Sequence, residues 1–82
     1  MTDKIEIFVS DKCPDCALLI ADRKNNPEKY DGISFYNITE SMANLKRFLY
    51  FRDRLNSYEE VRACARVGVP SKVINEKDVE FL

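Results

Sequence analysis

The sequence contains no histidine. That absence excludes a Cys-His nucleophilic pair and any zinc site built with imidazole, so proton transfer at an active site falls to a thiol, a carboxylate, a lysine or water. Cysteine is scarce, with three in 82 residues, so one chain alone cannot complete a tetrathiolate metal site. A surplus of one charge is lacking too. The 13 basic and 14 acidic residues leave a formal net charge of −1, which gives no reason to expect nucleic acid or an anionic membrane as a partner. No apolar run approaches the roughly 18 residues needed to span a bilayer. The opening segment Met1-Thr2-Asp3-Lys4 has no signal-peptide organisation, and the expected location is a reducing cytoplasm. The length predicts a single domain over residues 1–82, near the lower end of what one core stabilises without help.

Against this background, Cys13-Pro14-Asp15-Cys16 stands out. It follows the apolar run Ile5 to Val9 and heads a helical stretch. Two cysteines separated by two residues can close a small disulfide ring or chelate a metal, and in a reducing compartment the motif reads as catalytic or metal-binding rather than as a structural staple.

The rest of the chain supplies a frame for that motif. Ile5, Ile7 and Val9 alternate with Glu6, and Phe8 adds an apolar group on the other face, which suits a strand covered on both sides. Pro14 suits a first helical position, and Ala17, Leu18, Ile20 and Ala21 recur at helical spacing to about Lys24. Asn25-Asn26-Pro27 ends this helix, Gly32 closes a loop, and Ile33 to Ile38 reads as a second strand. Strand, helix, strand with so long a crossover implies a parallel, right-handed unit. Met42, Leu45, Phe48, Leu49 and Leu55 predict a helix from Ser41 to about Leu55. Ser57 and Glu60 form a capping-box pattern for another from Tyr58 to Val67, with Val61, Ala65 and Cys64 on its buried stripe. Gly68 is a natural helix stop. Ser71 to Asn75 and Asp78 to Phe81 predict a hairpin with its turn at Glu76-Lys77.

Two motifs in this order, Cys13-Pro14-Asp15-Cys16 after the first strand and Gly68-Val69-Pro70 ahead of the hairpin, resemble the glutaredoxin branch of the thioredoxin-like fold. The resemblance implies an α/β class with a four-stranded mixed sheet (βαβ, then ααββ) flanked by helices. It also implies a cis bond before Pro70, close to the cysteines. Three departures accompany it. Asp15 stands where the family usually has an aromatic residue, the middle holds two helices where one is usual, and the usual C-terminal helix with its glutathione contacts is lacking.

On this reading Cys13 is the nucleophile and Cys16 the resolving thiol. Lys12 and the first-turn amides favour the Cys13 anion, whereas Asp11 and Asp15 oppose it. The acidic insert predicts a potential of about −270 to −200 mV, the reducing end of the range. The expected substrate-binding set is Lys12, Pro14 and Asp15 beside the thiols, with Val69 and Pro70 opposite. As the resemblance implies, the Val69 backbone offers edge pairing to an extended substrate segment and Pro70 keeps metals from the thiols.

The expected function is thiol–disulfide exchange on a protein or low-molecular-weight disulfide. It needs an external thiol reductant, uses no bound cofactor, and leaves glutathione open as co-substrate. The alternative is a metal or iron–sulfur module with Cys13 and Cys16 contributed by two chains. Cys64 is expected as a small buried hydrophobe, and Lys46, Arg47, Arg52 and Arg54 as a solvated helix face or an anion site. An uncovered sheet face predicts a homodimer.

Overall fold

The computed structural model describes residues 3–82. Met1 and Thr2, which belong to the opening segment read above as lacking signal-peptide organisation, lie outside them. The described residues form four strands, β1 (Ile5–Val9), β2 (Ile33–Asn37), β3 (Ser71–Ile74) and β4 (Asp78–Phe81), and three α-helices, α1 (Ala17–Asn25) between β1 and β2, and α2 (Met42–Arg52) and α3 (Glu59–Ala63) between β2 and β3. The sheet order is β2-β1-β3-β4. β1 runs parallel to β2, with Val9 opposite Asn37. It runs antiparallel to β3, with Phe8 opposite Ser71, and β3 pairs antiparallel with β4. This is a mixed four-stranded sheet, as expected above.

The period of two along β1 divides the interior. Phe8 on one face joins Ile38, Phe48, Phe51, Tyr58, Val61 and Val73 beneath α2 and α3. Ile7 and Val9 on the other join Cys16, with Leu19, Ile20 and Phe35 packed against them beneath α1. Glu6 also belongs to the first face and is fully buried. Arg47 answers it from α2, donating from Nε and Nη2 to the two carboxylate oxygens at 2.9 and 3.1 Å. No helix among the described residues is long and apolar enough to cross a membrane.

Several element boundaries differ from the sequence expectation. Residues Pro14–Cys16 form a 3-10 turn before α1 begins. The buried stripe therefore runs through Cys16, Leu19 and Ile20, while Leu18 is left 86% exposed. α2 stops at Arg52, short of Leu55. The Ser57 capping box does not form: Asn56–Tyr58 is a 3-10 turn, and Tyr58 occupies the cap position of α3 with no side-chain cap. The Tyr58 ring is drawn into the core, where its hydroxyl lies 2.7 Å from Ser71 Oγ. α3 ends at Ala63, because Ala65 turns to φ 56° and Arg66 N–H folds back to the Val61 carbonyl. That early stop leaves Cys64 exposed, not buried on a helix stripe. The β3–β4 turn centres one residue earlier than predicted, on Asn75 and Glu76, both at positive φ.

Candidate active site

β1 delivers the chain to Ser10, and a short loop then carries it to the cysteines. Cys13 stays extended (φ −102°, ψ 118°) at the cap of the 3-10 turn, and Pro14 takes the first position of that turn, where a missing N–H costs nothing. Cys13 N–H donates to the Ser10 carbonyl at 3.1 Å, and Cys16 N–H donates to the Cys13 carbonyl at 3.0 Å. The turn thereby places the two thiols at different depths. Cys13 is half-buried, Cys16 is completely buried, and neither is in a disulfide.

That difference in depth sets their chemistry apart. Burial pushes the Cys16 thiol up, because the apolar cluster disfavours an anion. The Ser10 N–H, aimed at Cys16 Sγ from 3.4 Å, acts against this, whereas a hydrogen bond with Cys13 and the charges of Cys13 and Asp15 add to the rise. Cys16 therefore lies behind Cys13, the more accessible of the two sulfurs.

Across from the pair, the Val69–Pro70 peptide is cis. A cleft of about 1080 Å³ lies between, lined among others by Lys12, Cys13, Asp15, Val69 and Pro70. These five are expected site residues, and the fold brings them together. Pro14 is exposed outside the cleft lining, and Cys16 lies beneath the cleft. Val69 packs against both core clusters, so both layers fix its position.

Arg47 and Arg52 of α2 are not part of a solvated face. Arg47 is committed to the buried Glu6, because a fully desolvated carboxylate needs a paired cation. Arg52 donates from Nε to the Val67 carbonyl at 2.8 Å and from Nη2 to the Arg66 carbonyl at 2.5 Å. It thus clasps the segment leading into Val69-Pro70. Arg54 lies over the Tyr50 ring at 4.2 Å. Lys46 alone of the four remains an exposed residue without such a bond described for it. The cleft takes its cations from Lys12 and Arg66 instead.

Sequence reasoning also missed two hydroxyl residues beside the thiols. Ser10 Oγ lies 3.0 Å from Thr39 Oγ1, in the segment after β2. The signal was two hydroxyls just beyond parallel strands, but their meeting depends on the Val9–Asn37 register. Among the described residues, no group of three or more His, Cys, Asp or Glu side chains comes together to hold a metal ion.

No family model and no solved structure matches this chain. An uncharacterized protein of Haemophilus influenzae is similar to it, at 29% identity over 73 residues that cover 89% of this chain and 81% of the relative.

Proposed function

We propose that the protein is a small dithiol oxidoreductase of glutaredoxin-like character that reduces protein or low-molecular-weight disulfides. The observation that carries this reading is a half-buried Cys13 on a cleft that a cis X-Pro peptide also lines, with Cys16 completely buried behind it. The sheet order is compatible with a thioredoxin-like arrangement.

In the proposed cycle the Cys13 thiolate attacks one sulfur of the substrate disulfide. A Cys13–substrate bond forms, and the substrate's second sulfur leaves as a thiolate and is protonated. Cys16 loses its proton and attacks Cys13 Sγ. The Cys13–Cys16 bond forms, and the remaining substrate sulfur leaves with the electron pair. Two equivalents of an external thiol supply the two electrons and two protons that restore the dithiol and leave as their own disulfide, a role suited to a reducing cytoplasm. Lys12 and Asp15 border the attacking sulfur, and the Val69 backbone pairs with an extended substrate segment.

The test is a redox titration of a Cys64→Ser protein in graded glutathione buffers, read by alkylation and intact mass. Loss of two hydrogens mapping to Cys13 and Cys16, at a potential of about −270 to −200 mV, is expected. Cys13→Ser should abolish turnover, and Cys16→Ser should accumulate a mixed disulfide on Cys13. A glutathione adduct there would identify glutathione as co-substrate. A pair that stays reduced in every buffer, or that purifies with metal and resists alkylation, overturns the proposal.

A further inference from the structure

Ser10 touches both cysteines. Its carbonyl accepts from Cys13 N–H at 3.1 Å, and its own N–H points at Cys16 Sγ from 3.4 Å. Its side chain does something separate. Ser10 Oγ accepts from Lys12 N–H at 3.1 Å and lies 3.0 Å from Thr39 Oγ1. Thr39 in turn reaches Asp11 Oδ1 at 2.6 Å and Asn37 Oδ1 at 2.8 Å. A threonine has one hydroxyl proton, and the carboxylate is the stronger acceptor. The polarity is then Lys12 N–H to Ser10 Oγ–H to Thr39 Oγ1–H to the Asp11 carboxylate. The Thr39 hydrogen bond is the largest influence holding the Asp11 carboxyl below its ordinary value. Asn37 Oδ1 ties the same two segments again, accepting from the N–H groups of Asp11 at 3.4 Å and Thr39 at 3.2 Å.

These bonds cross-link the loop before the cysteines to the segment after β2, and no bond within the cysteine motif itself would do so. Together with the Ile38 N–H, which donates to the Val9 carbonyl of the same peptide at 2.8 Å, they fix the Ser10 N–H, a protein donor described at the buried sulfur. The cycle above requires Cys16 to become an anion for a moment in apolar surroundings, where its neighbours Cys13 and Asp15 both oppose that charge. Tyr30, in the turn that follows α1, also packs against the same cluster, as does Cys13.

We propose that the Ser10 peptide N–H receives the Cys16 thiolate in the resolving step, and that the Ser10–Thr39 hydroxyl pair is the positioning device that keeps this N–H on its target. This inference rests on the dithiol reading for its role, but its geometry can be tested without turnover.

The first measurement uses a Cys13→Ser, Cys64→Ser background, in which Cys16 is the sole thiol, titrated by thiolate ultraviolet absorbance. Thr39→Val and Ser10→Ala should each raise the pH at which Cys16 ionises, lowering its thiolate fraction at fixed pH by about threefold to tenfold. Thr39→Ser should restore it. The second measurement uses Cys64→Ser protein and a disulfide substrate. Thr39→Val should slow release from the Cys13 mixed disulfide by a similar factor while leaving the rate of its formation unchanged.

Equal titration of Cys16 in Thr39→Val, Thr39→Ser and the parent overturns the proposal. So does equal slowing of both steps, which a merely loosened fold would give. If no mixed disulfide ever forms in the parent, the oxidoreductase reading fails by itself, while the Cys16 titration still decides the role of the Ser10 N–H.

Discussion

Two residues in the interior carry opposite charges and depend on each other. Glu6 is fully buried in β1, and Arg47 holds both of its oxygens while lying 4.6 Å over the Phe51 ring. A desolvated carboxylate without its cation is costly, whereas an apolar pair of similar shape is not. Arg47→Met should lower the unfolding free energy by about 3–5 kcal/mol, read from urea midpoints. Glu6→Met combined with Arg47→Met should recover most of that loss. A single variant as stable as the parent would mean that the carboxylate finds another partner. At the surface, Asp22 accepts from Lys29 Nζ at 2.8 Å and the Tyr30 hydroxyl at 2.5 Å. These bonds, Lys29 first, lower its carboxyl from 3.8 to about 2. A carboxyl depressed in the folded state stabilises above its unfolded value, and that contribution disappears as pH falls through the folded one. Asp22→Asn should therefore melt below the parent at neutral pH, and the gap should close as pH falls from 3.8 towards about 2. A gap constant across that window would refute the assignment.

The segment joining α3 to β3 shows how elements aim the site. Gly68 adopts φ +105°, where a Cβ would also sit 3.1 Å from Val61 Cγ1 and 3.4 Å from the Tyr58 ring. Gly68→Ala should cost about 1–3 kcal/mol, and it should weaken substrate binding because Val69 follows directly. Calorimetry and a KM measurement would check the two effects separately. The strands and the two motifs were legible in the sequence, since alternation in β1 and the Cys-Pro-Asp-Cys and Val-Pro spacings are local. Partners brought in from afar were not. Nothing next to Arg47 or Arg52 in the sequence announces a buried Glu6 or a pair of loop carbonyls, so both read as solvated charge. The limits of α3 were obscured for a related reason. Ser57 and Glu60 have the pattern of a local cap, but burying the Tyr58 ring decides the geometry, and the helix that would have covered Cys64 stops before it.

At the scale of the whole molecule, the two central strands come from opposite parts of the chain. β1 pairs with both β2 and β3, and Lys4 N–H donates to Asn75 Oδ1 across 71 residues. The amides of β1 and β3 should accordingly exchange with solvent only on global unfolding, and those of β4, at the edge, sooner. Native-state hydrogen exchange would show this, and equal protection of centre and edge would contradict it. The same connectivity bears on how the protein is made. During vectorial synthesis Cys13 and Cys16 leave the ribosome before β3 and the Val69–Pro70 segment that completes their surroundings. At a translation rate of about 5–20 residues per second, the nascent dithiol spends seconds without the wall it faces in the finished fold. On the dithiol reading proposed above, its redox state over that interval is set by the surrounding thiol pool and not by the finished fold.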